Sequence, residues 1–214
     1  MNRERLTAGV GALAFAILPL VGFTVGNPPG GNYSASDIVK FVAKGHRPAV
    51  FASVYLVLLS GIGLLLLLAR LRESIGEGKR ATIFWGLSIG AVATWVAGYA
   101  LAITPAAAFA FGGGKSLTLT NGVIYTFSEA GLAIMFGAGA PLLGCALIVF
   151  ALGRTPVPTW VRWSTLIAGL AGVAALAWFP LFLVYLWALA LGLWTLIGER
   201  RPASEPARPQ AQPI

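Results

Sequence analysis

Charged residues are scarce in this chain: Asp, Glu, Lys and Arg make up 10% of its 214 residues, whereas hydrophobic residues make up 57%. Soluble domains carry about 25% charged residues, so a water-soluble fold of this length would have too few charges to cover its surface. A lipid bilayer removes that need because it replaces water around most of the protein. The composition therefore predicts an integral membrane protein with the lipid bilayer as its main partner.

Histidine and cysteine are almost absent as well. The chain has one histidine, His46, and one cysteine, Cys145. A disulfide within the chain, a bis-histidine haem and a His-rich metal site are therefore excluded. Cys145 lies inside an apolar run, where we expect it to pack rather than react. We predict no cofactor and no metal ion.

The few charges separate apolar stretches of helix length, since a span needs about 20 residues. The first stretch is interpreted as an uncleaved span because no A-x-A-like cleavage site follows it. The fourth is too long for an upright crossing and must tilt, kink at Pro141 or project beyond the bilayer. The pattern predicts an all-α polytopic bundle with one transmembrane domain over 1–198, spans near 6–25, 49–69, 81–103, 124–152, 163–179 and 181–197, and a disordered tail at 199–214.

The last apolar stretch leaves the number of spans open. Between Arg162 and Glu199 lie 36 residues without a charge, which as one helix would reach about 54 Å. Two spans joined by a turn at 178–180 fit a bilayer better, and give six spans. The alternative is one bent helix, which gives five spans and moves the C-terminus to the other side.

The basic residues predict the orientation. With six spans, one side of the membrane holds 11 Lys and Arg residues and the other side holds four, Lys40, Lys44, Arg47 and Lys115. The positive-inside rule places the richer side, with both termini, in the cytoplasm. Because topology accounts for these charges, we predict no nucleic-acid partner. The Ala-, Gly- and Leu-rich composition favours a bacterial origin.

A short amphipathic helix is predicted on the outer surface, near residues 34–45. Ser34 and Asp37 have the spacing of a capping box. The apolar positions Ala35, Ile38, Val39 and Val42 follow helical periodicity. Such a helix lies at the membrane surface, or alternatively packs on the protein as an ordinary loop helix.

Glu129 is the one acidic residue expected within a span, near its outer boundary. Acids at such depths are candidates for functional sites, although a structural acid at a helix end is the simpler interpretation. Tyr125 lies one turn before Glu129, and His46 and Arg47 begin the second span at a similar depth. Together with Asp37, these residues form the candidate polar or ligand site. A metal site formed by Asp37, His46 and Glu129 is a further, weaker hypothesis.

Small residues indicate where helices can approach closely. Gly86 and Gly90 lie on one face of the third span, and Gly137 and Gly144 lie in the fourth. These faces are candidate contacts with another membrane protein or with a second copy of the chain.

Two segments resemble a known group of proteins. They are Pro158-Thr-Trp-Val-Arg-Trp163 followed by Leu166-Ile-Ala-Gly169, and Ser36-Asp-Ile38 leading to His46-Arg47 and to Ala69-Arg-Leu-Arg72. Over about residues 6–198 the chain resembles bacterial, especially actinobacterial, six-span integral membrane proteins classed as a domain of unknown function. The resemblance implies the topology and a bacterial plasma-membrane location, and it implies no catalytic residues.

The sequence favours an accessory or structural membrane component, because no nucleophile with an adjacent base and no buried charge pair is evident. A transporter or channel is the alternative, and it predicts a polar cavity reaching the middle of the membrane beside Pro141. An enzyme that modifies lipid at the outer face is third. It predicts that Asp37, His46 and Glu129 converge within hydrogen-bonding distance.

Overall fold

The computed structural model describes residues 3–112, 119–175 and 179–197, and within these ranges the regular secondary structure is helical. The predicted all-α fold is therefore confirmed for the described residues. The predicted tail at 199–214, Lys115 and Trp178 lie outside them. The helices are α1 (Arg3–Gly26), α2 (Ala35–Val42), α3 (Arg47–Ile75), α4 (Lys79–Ala102), α5 (Thr104–Phe111), α6 (Asn121–Ile134), a π-helical turn (Met135–Gly139), α7 (Ala140–Ala151), α8 (Thr159–Val173) and α9 (Leu181–Ile197).

Among the described residues, four helical units are long and apolar enough to cross a membrane: α1, α3, α4 and the continuous helix Asn121–Ala151, which combines α6, the π-helical turn and α7. Each begins two or three residues before its predicted stretch, and α3 also continues past it through charged residues to Ile75. α8 has 15 residues and α9 has 17, fewer than the roughly 20 that an upright span needs. α8 also ends at Val173, earlier than the predicted 179, whereas α9 has the predicted bounds.

Neighbouring antiparallel helices pack closely against each other at glycine residues. An added Cβ at Gly63 of α3 would lie 2.5 Å from the carbonyl oxygen of Gly11 of α1, and one at Gly144 of α7 would lie 2.5 Å from that of Gly169 of α8. α9 runs antiparallel along α1, where an added Cβ at Gly9 would lie 2.7 Å from Leu196. Backbones this close leave no space for a side chain, which is the packing that membrane helices favour.

The four glycines that were predicted to form helix contacts lie in different environments. Gly144 is buried between α7 and α8, so it packs inside the chain and presents no face to a partner. Gly86 is exposed, with nothing within 4 Å of an added Cβ, and Gly90 meets only Leu142 at 3.5 Å. Gly137 lies half-buried in the π-helical turn. Among the described residues, Gly86 itself therefore takes no part in packing, whereas Gly90 makes one ordinary contact.

Aromatic side chains fill the middle of the bundle. Trp95 of α4 lies with its ring centroid 5.9 Å from Phe15, 5.9 Å from Phe136 and 6.3 Å from Tyr185. All four rings are buried. Edge-to-face and tilted contacts at these distances are favourable for aromatic pairs. The centre is thus closed by rings from four parts of the chain.

The long fourth unit contains a π-helical turn instead of a simple proline kink. The amide of Ala140 donates to the carbonyl oxygen of Met135, five residues earlier, directly before Pro141. Proline lacks the N–H that would continue the regular ladder, and a wider turn relieves its clash with the preceding turn. Gly139 of this turn packs against α4, where an added Cβ would lie 3.2 Å from the amide nitrogen of Trp95.

The two ends of the bundle differ in charge. We call the end that carries Arg5, Arg70, Arg80 and Arg162 the basic end; there Arg80 reaches the end of α7 and Arg5 the end of α9. The opposite end carries the loop 27–34, α2, α5 and the start of α6. We call it the Glu129 end.

Candidate functional site

Tyr125 and Glu129 lie one turn apart on α6, and both bind the backbone of Gly31. The Tyr125 hydroxyl donates to the carbonyl oxygen of Gly31 at 2.8 Å. The amide of Gly31 donates to Oε2 of Glu129 at 3.3 Å. The two side chains therefore bind Gly31 rather than each other. This pair of bonds fixes the loop that follows α1 against α6.

The loop reaches Glu129 through two positive-φ residues. Asn27 has φ 43° and Gly31 has φ 67°, a region that Gly and Asn tolerate best. The side chain of Asn27 accepts a hydrogen bond from the Tyr33 hydroxyl at 2.6 Å. Gly30 lies between these two residues, and an added Cβ there would lie 2.8 Å from both Oε2 of Glu129 and the side chain of Leu132, so a larger residue would require these two side chains to shift.

These residues border a cleft of about 720 Å³ at the Glu129 end, which we call the Glu129 cleft. Its lining is Phe23, Thr24, Asn27, Pro28, Gly30, Gly31, Tyr33, Glu129 and Leu132. Glu129 is the only formally charged side chain in that lining and is exposed. Burial, and to a lesser degree the charge of Asp37, raises the pKa of Tyr33, so this hydroxyl stays protonated at neutral pH. The cleft thus combines one carboxylate, neutral hydrogen-bonding groups and an apolar floor.

His46 and Arg47 lie elsewhere at the same end, and neither pairs with Glu129. The ring Nε2 of His46 lies 3.2 Å from the carbonyl oxygen of Gly26. Arg47 donates through Nε to the carbonyl oxygen of Val42 at 2.9 Å and through Nη1 to the carbonyl oxygen of Phe109 at 3.0 Å. Both residues therefore bind carbonyl groups at helix ends, which have no partner within their own helix.

Asp37 has the predicted capping role. Its Oδ2 accepts from the amide of Ser34 at 3.3 Å and from the Ser34 hydroxyl at 2.6 Å, while the amide of Asp37 donates to Oγ of Ser34 at 3.2 Å. These bonds from Ser34 hold the pKa of the Asp37 carboxyl below its usual value. The carboxylate is thus used to begin α2.

The buried face of α2 differs from the predicted one. Ile38, Phe41 and Val42 are buried, whereas Ala35 and Val39 are exposed. Helical periodicity alone admits either stripe, and the contacts of α2 with α3, α5 and α6 select the first. At this position α2 is a loop helix packed on the protein, the alternative that the sequence left open.

The three residues of the weaker metal hypothesis do not converge. Among the described residues, no group of three or more His, Cys, Asp or Glu side chains is placed to hold a metal ion. The predicted convergence of Asp37, His46 and Glu129 is therefore wrong, because each binds backbone groups of a different segment. Gly31 was not among the predicted site residues, because its local sequence does not indicate its positive φ or its hydrogen bonds to Tyr125 and Glu129.

Comparison with known proteins adds no assignment: no protein-family model, no curated protein and no solved structure matches the chain.

Proposed function

We propose that the protein is an accessory component of a bacterial plasma-membrane complex, with six spans, a cytoplasmic basic end and a partner helix on the exposed face of α4. The basic end carries most of the Lys and Arg residues, as the positive-inside rule requires of a cytoplasmic side. Membership of the actinobacterial six-span group that the sequence resembles stays a prediction.

The contacts of α9 support six spans. α9 lies along α1, from the Gly9–Leu196 contact near the basic end to the Phe15–Tyr185 ring contact at 5.5 Å. α1 is one of the helices able to cross a membrane, and α9 lies beside the half of α1 that is nearer the basic end. A helix shorter than the hydrocarbon thickness is accommodated by tilting of its neighbours or by local thinning of the bilayer.

The position of the C-terminus tests this topology. In a six-span protein, a fluorescent protein fused to the C-terminus of the full chain should fold in the cytoplasm and fluoresce, while an alkaline phosphatase fused there should be inactive. N-terminal fusions serve as the reference for the cytoplasmic side. An active C-terminal phosphatase with no fluorescence would establish five spans, because the last apolar stretch would then cross once.

The packed centre of the bundle favours an accessory role over transport. A transporter predicts a polar cavity at mid-depth beside Pro141, but neither the Glu129 cleft nor a smaller cleft at the basic end is lined by Pro141 or Trp95. The buried rings of Phe15, Trp95, Phe136 and Tyr185 occupy the space between these ends. The lack of convergence among Asp37, His46 and Glu129 disfavours the lipid-modifying enzyme.

The observation that carries the accessory proposal is the exposed small-residue face of α4. Gly86, Ala93 and Ala97 are exposed and Gly90 is half-buried, although all four lie in a helix whose other face is fully packed. Small residues that are not used within the chain allow a second helix to approach the α4 backbone closely. A helix face that contacts only lipid does not need small residues, because large apolar residues serve there equally well.

Affinity purification from native membranes in a mild detergent tests the proposal. We expect a membrane protein to co-purify with the wild type, and its yield to fall at least about fivefold for Gly86→Leu, because the leucine prevents close helix approach. The matched control is Ala190→Leu, which adds a similar volume on the exposed side of α9. Recovery of the wild type without any partner, or equal losses for both variants, would contradict the proposed α4 interface.

A further inference from the structure

A second cleft, of about 430 Å³, lies at the basic end between α1, α3, α8 and α9. We call it the basic-end cleft. It is lined by Arg5, Ala8, Leu67, Arg70, Leu71, Glu73, Ser74, Pro156, Val157, Pro158, Val161, Leu191, Trp194 and Thr195. The candidate residues from the sequence lie at the other end, so this cleft is a separate feature.

The rim of the basic-end cleft carries two arginines. Arg5 is half-buried and donates through Nε to the carbonyl oxygen of Thr195 at 2.8 Å, which orients its guanidinium at the junction of α1 and α9. Arg70 forms an ion pair with Glu73 one turn later on α3, and both side chains are about half exposed, at 50% and 55%. An exposed pair of this kind contributes little stability, so a stronger anion can displace Glu73 from Arg70.

The interior of the cleft is apolar. Leu71, Val161 and Leu191 are buried in its wall, and Trp194 is half-buried beside them. The Trp194 ring meets Trp160 edge-to-face, with centroids 5.4 Å apart. Tryptophan at this level is typical of the boundary between hydrocarbon and headgroups. The cleft therefore offers cationic donors at its rim and hydrocarbon-like surface below.

The surroundings reinforce the positive rim. At the basic end the described residues include eight basic side chains, Arg3, Arg5, Arg70, Arg72, Lys79, Arg80, Arg154 and Arg162, against three acidic ones, Glu4, Glu73 and Glu77. This excess attracts anions and especially anionic headgroups in the adjacent leaflet. A free cation or a zwitterion without net charge gains nothing from it.

We propose that the basic-end cleft binds the phosphate of an anionic phospholipid headgroup, with Arg70 at the phosphate and the apolar wall against the glycerol and first methylene groups. Guanidinium groups bind phosphate oxygens in a forked geometry that lysine cannot reproduce. The apolar lining favours a lipid over a free phosphate, because a water-soluble anion would leave that surface unfilled. This inference does not depend on the partner helix proposed for α4.

Lipid titration followed by native mass spectrometry in a non-ionic detergent tests the site. We expect saturable binding of dioctanoyl phosphatidylglycerol to the full chain, and binding about tenfold weaker for Arg70→Gln, which removes a charged donor. Glu73→Gln should bind severalfold more tightly, because it removes the competing carboxylate. Arg154→Gln is the matched control: it removes one positive charge at the same end outside the cleft lining, and should bind within about twofold of the wild type.

Each other outcome counts against the proposal. Equal weakening by Arg70→Gln and Arg154→Gln would indicate general electrostatic attraction without a site. Equal binding of dioctanoyl phosphatidylcholine would show that headgroup charge is irrelevant. Glycerol 3-phosphate binding as tightly as the lipid would assign the cleft to a soluble phosphate compound. Weaker binding by Glu73→Gln would show that the Arg70–Glu73 pair itself forms the site.

Discussion

Replacing Gly131 with alanine should destabilise the protein more than any other single methyl addition along α6. An added Cβ would lie 2.7 Å from Cα of Ala102 and closer still to its amide nitrogen and to the carbonyl oxygen of Gly98. These atoms belong to the backbone of α4, so no side-chain rotation relieves the overlap. Overpacking in a filled core costs about 1–3 kcal/mol, and we expect a value at the upper end or beyond because two helices must separate.

The matched control is Gly86→Ala on α4, one partner of the same helix pair. Nothing lies within 4 Å of an added Cβ at that position, and alanine favours a helix over glycine by about 1 kcal/mol. Gly86→Ala should therefore leave the melting temperature in detergent unchanged or slightly raised, while Gly131→Ala lowers it strongly. Tryptophan fluorescence during heating measures both. Similar melting temperatures for the two variants would show that the close contact between α4 and α6 is relaxed in the folded protein.

These glycines illustrate which part of the fold the sequence predicted. Long apolar runs bounded by charges are local signals, and they located the four helical units of the described residues that are long and apolar enough to cross a membrane. The capping box at Ser34 and Asp37 is equally local and was confirmed. Whether a glycine packs inside the chain depends on the helix opposite it. Gly86 lies four residues before Gly90 in a small-residue pattern, yet nothing approaches it, whereas Gly131 has no glycine four residues away and meets the backbone of α4.

The hydrogen bonds of the arginines were likewise not predictable from the sequence. The positions of the arginines relative to the apolar stretches predicted topology, but they did not predict the hydrogen bonds of these side chains. Through Nε, Arg5 donates to the carbonyl oxygen of Thr195, Arg80 to that of Val149 and Arg162 to that of Ala151, all near the ends of neighbouring helices. Free carbonyls at a helix C-terminus attract cationic donors. The partner in two of the three pairs is far away in sequence, so the spacing of residues contains no sign of it.

The Glu129 site was predicted only in part, because it too depends on contacts between residues that are far apart in the sequence. The spacing of Tyr125 and Glu129 places both on one helical face, and the structure brings both to a single loop. The loop itself approaches because Asn27 and Gly31 adopt positive φ, which the turn-rich sequence allows without specifying. His46, Arg47 and Asp37 share the depth of this site but bind other groups, since depth along a helix does not determine which way a side chain points.

Arg47→Met should release α2 and α5 from the bundle while leaving the long helices folded. Arg47 donates to the last carbonyl of α2 and, through Nη1, to a carbonyl near the end of α5. Its guanidinium also lies 5.8 Å from the centroid of the Phe109 ring. Hydrogen bonds to charged groups contribute about 1.5–3 kcal/mol each. Methionine keeps the apolar stem and loses both bonds, so we expect the local opening free energy of these two helices to fall by about 2–4 kcal/mol.

Amide hydrogen exchange separates this local release from global unfolding. Exchange should accelerate within Ala35–Val42 and Thr104–Phe111 and stay unchanged in α1 and α4. Arg47→Lys should give an intermediate effect, because one ammonium group keeps the charge but lacks the fork that reaches two carbonyls. Lys44→Met removes an exposed charge three residues earlier and should change nothing. Uniform acceleration across all helices in Arg47→Met would mean instead that Arg47 supports the whole bundle, whereas no acceleration would mean that the buried face of α2 holds it in place without the arginine.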